Sequence, residues 1–151
     1  MLAHIQRVSE CVLRIGGQVH ARTGPGFLVL LGIAAADTEA EADALAARVV
    51  KLRIMPDEEG KMNRSLTDCG GEMMVVSQFT LLADTRRGNR PSFIAAARPE
   101  QALPLYHKFI EAVSNQLGRP AATGVFGADM QISLTNDGPV TILLDTADRP
   151  A

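Results

Sequence analysis

The chain has 151 residues, of which 46% are hydrophobic and 21% charged, a composition typical of one globular domain spanning residues 1–151. Its formal net charge of −2 argues against bulk electrostatic attraction to nucleic acid, although a local basic patch is compatible with it. Two cysteines, Cys11 and Cys69, are too few for a disulfide framework and lack metal-site spacing, so we expect two small buried residues with free thiols.

The N-terminal residues do not have the pattern of a targeting segment. Arg7 and Glu10 interrupt the apolar core that a signal peptide needs. No run of the sequence approaches the roughly 18 apolar residues of a membrane span. We therefore expect a cytoplasmic protein that does not associate with membranes.

The first half of the chain predicts three strands and a helix. Gly16-Gly17 separates two strand-like runs and indicates a two-residue hairpin turn. The unbroken apolar run from Phe27 to Leu31 is typical of a strand that is covered on both faces. A helix follows, because Thr38 and Glu41 form a capping box. Its predicted inward stripe consists of Ala42, Leu45, Ala46, Val49 and Val50.

Loops, a strand and a second helix are predicted for residues 55–118. The polar, glycine-containing segments 55–72 and 83–93 are interpreted as loops on either side of the short strand "MMVV". The second helix is expected from about Pro99 to Leu117, with Gly118 as its stop and Pro104 in its first turn or at a kink. Its inward residues are predicted to be Tyr106, Phe109, Ile110, Val113 and Leu117.

The last segment, Leu134 to Asp145, places Gly138-Pro139 between two runs in which apolar and polar residues alternate. We interpret it as a hairpin with this pair at its tip, although a proline there removes a donor and fixes its own φ. The element order shows no βαβ rhythm. The sequence therefore predicts an α+β fold, a mainly antiparallel, barrel-like β-sheet with two helices packed on it, in a single domain.

The sequence contains no motif for a conventional nucleophile or metal site. His-Glu-x-x-His, Walker and Gly-x-Ser-x-Gly patterns are all absent. His4, His20 and His107 are scattered, and we expect His107 on a solvated helix face. Nothing indicates a Ser-His-Asp triad, although sequence does not exclude one. We therefore expect no metal requirement and no cofactor.

The stretch "VSQFTL" ends a predicted buried strand in hydrogen-bonding side chains. Ser77, Gln78 and Thr80 surround one aromatic residue, Phe79. Strand ends are common places for a site, which is the functional interpretation of this pattern. The alternative is that these side chains only satisfy backbone groups where the strand ends.

Two further segments have features that suit nucleic acid. In "TGVFGADM" the ring of Phe126 lies between two glycines, where it either stacks on a base or belongs to the core. The loop "RRGNRPSF" gathers guanidinium groups that either hold phosphates or are simply solvated. These belong to Arg86, Arg87 and Arg90.

Taken together, these segments resemble the D-aminoacyl-tRNA deacylases (D-tyrosyl-tRNA deacylase family), the editing enzymes that hydrolyse D-amino acids from mischarged tRNA. The resemblance covers essentially the whole chain and includes "QRV", "FLVLLGI", "GKMNRSL", "RPSF" and "TGVFGADM". "SQFT" and "NDGP" look like the family's active-site signatures, and their joint occurrence is highly specific. Departures are mild: Cys11, His20 and Arg98 stand where small residues are more usual.

The resemblance implies a homodimer with a cis peptide bond between Gly138 and Pro139. In the family this pair enters the other subunit's pocket and faces the α-carbon of the substrate. Gly138 permits close approach and Pro139 fixes the carbonyl directions, so the pair would form a rigid wall that rejects L side chains. The resemblance also implies that Phe126 and Met130 line an adenine pocket.

The expected reaction is hydrolysis of an activated ester, for which a placed water and donors aimed at the oxyanion suffice. Our hypothesis assigns the catalytic part to Gln78, Phe79 and Thr80, with the Phe79 or Thr80 N–H as oxyanion donor. Ser77 and Gln78 would hold the ester, and the ribose 2′-hydroxyl would help to move the proton. A covalent role for Thr80 is the rival, but threonine needs a neighbouring base.

The expected partners are the aminoacylated 3′ end of tRNA and a second copy of the chain, with no DNA. The arginine loop, Arg86 to Arg90, would contact tRNA phosphates. Two alternatives stay open at this point. One is a non-catalytic dimeric module that binds RNA ends or nucleotides, and the other is a hydrolase or deaminase acting on free D-amino acid derivatives.

Overall fold

The computed structural model describes residues 1–148, which contain eight strands, three α-helices and a short 3-10 helix. The strands are β1 (Leu2–Ile15), β2 (Gln18–Thr23), β3 (Gly26–Gly32), β4 (Met55–Pro56), β5 (Met62–Arg64), β6 (Glu72–Ser77), β7 (Ala122–Thr123) and β8 (Gln131–Asp145). The α-helices are α1 (Glu39–Val50), α2 (Leu66–Cys69) and α3 (Pro99–Leu117), and the 3-10 helix is Phe79–Leu82. No helix of the described residues is long and apolar enough to cross a bilayer.

The hairpin at Gly16-Gly17 is confirmed, since β1 and β2 are antiparallel and Ile15 lies opposite Gln18. β3 pairs with the first half of β1, also antiparallel. As predicted, β3 is covered on both faces: Phe27 belongs to the core cluster beneath the helices, and Leu28 belongs to a second cluster on the other face. This double burial fixes the position of the strand.

β8 is one continuous strand rather than the predicted hairpin. It pairs antiparallel with β1 from Arg14 opposite Gln131 to Leu2 opposite Asp145. Within this ladder the register shifts, and residues 137–140 stand opposite Arg7 alone. We call these residues the Gly-Pro bulge. The hairpin prediction was wrong because an alternating pattern reports which face a residue occupies and not which strand it pairs with.

The sheet is mixed and nearly closed, with strand order β2-β1-β3-β6-β7 and β8 paired to β1. β2 also lies against β6 and β7, which brings the two ends of the order together. β6 runs parallel to β3 and β7 parallel to β6. The predicted α+β class with a mainly antiparallel, barrel-like sheet is confirmed. The prediction that the chain has no βαβ units was wrong, because α1 connects the parallel strands β3 and β6 and α3 connects the parallel strands β6 and β7.

Helix α1 begins and packs as predicted. The Thr38 side chain accepts a hydrogen bond from Ala40 N, and the Glu41 carboxylate accepts one from Thr38 N at 2.9 Å. Such a capping box satisfies two backbone donors that the helix itself cannot. All five residues of the predicted inward stripe are buried.

Helix α3 has the predicted bounds and ends at Gly118. Pro104 lies within it, beyond the first turn. Of the predicted inward residues, Tyr106, Phe109 and Val113 are buried. Ile110 and Leu117 are partly buried against the same core cluster. Helices α1 and α3 contact each other and cover the Phe27 face of the sheet.

Segment 55–72 is more ordered than the predicted loop. It contains the β4-β5 hairpin and helix α2. The Asp57 carboxylate accepts hydrogen bonds from Lys61 N and Asn63 Nδ2, and Ser65 caps α2. The loop interpretation was wrong because these polar side chains satisfy the backbone locally, without any apolar periodicity. The second predicted loop, 83–93, is confirmed apart from one bridge between Asp84 and Ser92.

Both cysteines are free thiols, as expected. Cys11 is fully buried with its Sγ 3.7 Å from Met74 Sδ, and burial raises the pKa of its thiol to about 11. Cys69 is half-buried in α2. Cys11 therefore acts as a small core residue rather than a reactive group.

Candidate functional site

A cleft of about 690 Å³ lies at the carboxyl ends of β3 and β6. Because these strands are parallel, their ends meet at one edge of the sheet, which is where ligands commonly bind in parallel sheets. Leu31, Val76 and Ser77 come from the strands themselves. The other walls come from the segment before α3 and from the residues that lead into β8.

The end of β6 supplies polar groups to this cleft. Ser77 is the last residue of the strand, and Gln78 N donates to Leu31 O at 2.8 Å, which anchors the chain as it leaves the sheet. Phe79 and Thr80 then begin the 3-10 helix, and their N–H groups have no acceptor among residues 1–148. The first N–H groups of a helix have no partner inside it, so these two donors are free to bind an oxyanion.

The side chains of this segment are arranged around Gln78. Its Nε2 donates to Thr80 Oγ1 at 2.6 Å. Ser77, Gln78 and Phe79 line the cleft, whereas Thr80 is not among its lining residues. Phe79 is 57% exposed, and its ring is nearly perpendicular to that of Phe93, with the two ring centroids 5.1 Å apart.

Phe126 and Met130, which the resemblance assigned to an adenine pocket, form part of the wall of the same cleft. Phe126 is partly buried against the core and lines the cleft as well, so the core and stacking interpretations are compatible. Its ring lies 5.9 Å from that of Tyr106. Met130 fits there because Gly124 has no side chain: an added Cβ would lie 2.5 Å from Met130 Sδ.

Tyr106 connects this wall to strand β6. Its hydroxyl donates to Val75 O at 2.9 Å, and Gly124 N donates to the same carbonyl at 3.2 Å. Burial raises the pKa of Tyr106 to about 12, so the hydroxyl keeps its proton at neutral pH. The Phe126 wall is therefore fixed to the strand that ends in Ser77.

Other predicted site residues do not line the cleft. Gly138 and Pro139 lie in the Gly-Pro bulge, outside the cleft of the same chain. Their peptide bond is cis, as expected. The three loop arginines are exposed and also lie outside the cleft. Arg86 is held by Asp84, whose Oδ2 lies 2.7 Å from Arg86 Nη2, and this bond lowers the pKa of Asp84.

Arg7 contacts the Gly-Pro bulge from the neighbouring strand β1, and its side chain is only 11% exposed. Arg7 Nε donates to Asp137 O at 2.9 Å, and Nη1 donates to Ile54 O at 2.7 Å. On the other side Asn136 Oδ1 accepts from Val140 N at 3.0 Å. Sequence reasoning missed Arg7, although the "QRV" segment was part of the resemblance.

Two charged residues of the cleft, Arg98 and Asp129, were also missed as site residues. The available signal was Arg98 itself, an arginine directly before the first residue of a helix. The histidines lie elsewhere: none lines the cleft, and His107 is exposed on α3 as predicted. Within residues 1–148 no group of three or more His, Cys, Asp or Glu side chains could hold a metal ion.

The chain is similar to known proteins over nearly its whole length. The family model for D-Tyr-tRNA(Tyr) deacylase matches residues 4–145. D-aminoacyl-tRNA deacylases from Cytophaga hutchinsonii and Paracoccus denitrificans are each 56% identical over 149 residues, covering 99% of both chains. The enzyme of the same name from Thermus aquaticus is 52% identical over 150 residues, covering 99% of this chain and 98% of its own.

Two solved structures are similar over nearly the full length. One, named c-Myc DNA Unwinding Element Binding Protein, has a TM-score of 0.92 at 38% identity and covers 100% of both chains. The other, described as a probable eukaryotic D-amino acid tRNA deacylase, has a TM-score of 0.83 at 16% identity, which supports the fold alone. It covers 95% of this chain and 97% of its own. From the family model and the identities, the chain belongs to the D-Tyr-tRNA(Tyr) deacylase family.

Proposed function

We propose that the protein hydrolyses the ester bond of D-aminoacyl-tRNA in the cytoplasm and releases the D-amino acid and tRNA. The observation that carries this proposal is the convergence of Ser77, Gln78 and Phe79 with Phe126 and Met130 on one cleft. That cleft combines hydrogen-bond donors with an aromatic and apolar surface. An aminoacyl-adenosine needs this combination, since its ester is polar and its base stacks.

The proposed chemistry uses a water molecule rather than a protein nucleophile. Ser77 and Gln78 hold the ester while the base lies against Phe126 and Met130. Water attacks the ester carbonyl, and the Phe79 or Thr80 N–H donates to the oxyanion that develops. The bond to the ribose oxygen then breaks, and the adjacent 2′-hydroxyl helps to transfer the proton to that leaving oxygen.

Selection of the D form is assigned to the Gly-Pro bulge of a second copy of the chain. The bulge does not line its own cleft, so a homodimer is needed for Gly138 and Pro139 to reach a substrate. With the amino group and the ester both held, an L side chain would point into this backbone. Each 1.4 kcal/mol of clash corresponds to about tenfold rejection. An active monomer in light scattering at assay concentration would contradict this part.

The function is tested with matched D-tyrosyl-, L-tyrosyl- and glycyl-tRNA, by following release of the amino acid. We expect cleavage of the D ester and of the glycyl ester, because glycine has no side chain to strike the wall, and survival of the L ester. Broad activity across D-amino acids is expected for the same reason. Survival of the glycyl ester at enzyme levels that clear the D ester would contradict the steric wall, and cleavage of both enantiomers would indicate a generic esterase.

The role of Thr80 is tested by Thr80→Ala. Its Oγ1 already accepts a hydrogen bond from Gln78, and no histidine lies in the cleft to remove its proton. We therefore expect residual turnover within about a hundredfold of the unchanged enzyme, the usual range for loss of a positioning contact. Loss of all detectable turnover in a protein with an unchanged circular dichroism spectrum would instead favour covalent catalysis.

A second candidate is a nucleic-acid-binding protein without turnover, which the 38% identity to a protein named for DNA binding favours. Retention of charged tRNA without release would support this candidate.

The arginine loop is proposed to contact tRNA. Arg87 and Arg90, which are exposed, would contact tRNA phosphates together with Arg86, and such contacts weaken steeply with salt. The deacylase proposal gives DNA no role, so duplex DNA should not compete with tRNA in the same assay.

A further inference from the structure

We propose that Arg98 binds the phosphodiester that precedes the terminal adenosine of the substrate. This inference rests on the proposed function and adds a recognition residue to it. Arg98 lines the cleft and is exposed at its rim. Its guanidinium makes no hydrogen bond or ion pair with any other side chain or backbone group of residues 1–148. A guanidinium in this state can receive a ligand without first leaving a protein partner.

Arg98 occupies the N-cap position of helix α3, where an arginine is unfavourable for the helix. It is the residue that caps helix α3, but its side chain forms no capping hydrogen bond. Ser, Thr, Asp or Asn at such a position stabilises a helix relative to residues that cannot cap. The other two α-helices follow this rule, with Thr38 on α1 and Ser65 on α2. Departures from such local sequence rules are expected at functional sites, and the departure at Arg98 lies at the cleft.

The charges of the cleft give the ligand its chemistry. Only Arg98 and Asp129 among the lining residues carry charged side chains, and they do not form an ion pair with each other. The remaining lining side chains are apolar except for Ser77 and Gln78. An apolar surface cannot accept a phosphodiester without a large desolvation penalty, so the phosphate must lie at the charged rim.

Arg98 is the cation that meets this requirement. Arg86, Arg87 and Arg90 do not line the cleft, and Arg86 is already bound to Asp84. Arginine can hold two phosphate oxygens at once through its planar fork. Asp129 repels a phosphate on its own side of the rim. Together the two residues would orient the nucleotide with its 5′ side towards α3.

The test measures binding rather than turnover. The probes are two hydrolysis-resistant amides, 3′-(D-phenylalanylamido)-3′-deoxyadenosine and the same compound carrying a 5′-methyl phosphate diester. Isothermal titration calorimetry gives the Kd of each for the full chain and for Arg98→Ser, which restores a capping residue and therefore keeps helix α3. We expect the diester to tighten binding to the unchanged protein by about five- to tenfold, and this gain to vanish in Arg98→Ser.

Two matched variants complete the design. Arg98→Lys keeps the charge and should keep about half of the gain in logarithmic terms. Arg22→Ser removes an exposed arginine on β2 that pairs with Glu10, and it should keep the whole gain. An equal gain in Arg98→Ser and the unchanged protein, or no gain in the unchanged protein, would overturn the assignment. Failure of the unchanged protein to bind either amide would contradict the proposed function itself, and this inference with it.

Discussion

Replacing Gly138 with alanine is expected to lower D-aminoacyl-tRNA hydrolysis by about a hundredfold or more while the chain stays folded. An added Cβ would lie 2.8 Å from Val140 Cγ2 and 2.9 Å from Arg7 Nη2, and Gly138 has a φ of +130°, which L residues rarely adopt. The bulge must therefore move. A wall that reads the α-carbon tolerates little movement, so turnover of the D-tyrosyl ester should fall and rejection of the L-tyrosyl ester should weaken.

Gly60→Ala is the matched control for Gly138→Ala. Gly60 also has a positive φ, +77°, but open space surrounds its missing Cβ, and it lies in the β4-β5 turn. It should cost about 1 kcal/mol of unfolding free energy and leave both rates unchanged. Single-turnover hydrolysis and urea unfolding are measured on both variants. Wild-type rates and stereoselectivity in Gly138→Ala would exclude the Gly-Pro bulge from the site.

Arg7→Ala is expected to lower D-aminoacyl-tRNA hydrolysis by a similar factor through a different route. Arg7 makes no contact with the cleft, but its guanidinium donates to Asp137 O and Ile54 O. Removing it leaves both carbonyls without their donor, which should lower the unfolding free energy by about 2 kcal/mol. The bulge would also lose its main support, so the rate should fall by more than the change in stability explains.

Two arginine variants separate support of the bulge from general charge. Arg7→Lys has donors on one atom only and should recover part of the rate, because it can reach one of the two carbonyls. Arg14→Ala removes an arginine farther along the same strand and should change the rate less than twofold. A rate for Arg7→Ala equal to that of Arg14→Ala, at a temperature where both are folded, would show that Arg7 does not position the bulge.

The parts of the fold that depend on neighbouring residues could be predicted from the sequence. Gly16-Gly17, the Thr38–Glu41 capping box and Gly118 all act within one turn, and each was predicted correctly. Strand pairing depends on distant residues instead. β8 was split into a hairpin because its partner, β1, lies more than a hundred residues earlier in the chain. The parallel neighbours of β6 were missed for the same reason.

The predicted site residues that line the cleft belong to compact motifs. Ser77, Gln78 and Phe79 reach the cleft because a buried strand ends there, and Phe126 lines the same cleft. Sequence reasoning noted Arg98 only as a departure from the family pattern and did not assign it to the site, since a single arginine before a helix forms no motif. It also did not show that Arg86 pairs with Asp84, because that pairing depends on the geometry of the loop.

The hydrogen bond of the Tyr106 hydroxyl has a consequence for the distance between base and ester that a substrate can have. Tyr106 donates to Val75 O, two residues before Ser77 on β6, and its ring lies 5.9 Å from that of Phe126. The proposed base-binding wall and the proposed hydrolytic end of the cleft therefore belong to one rigid frame. In the proposed function, this frame would fix the distance between the bound base and the ester bond that is hydrolysed. An amino acid joined to the base through a spacer longer than the ribose could then occupy the base position or the ester position, but not both.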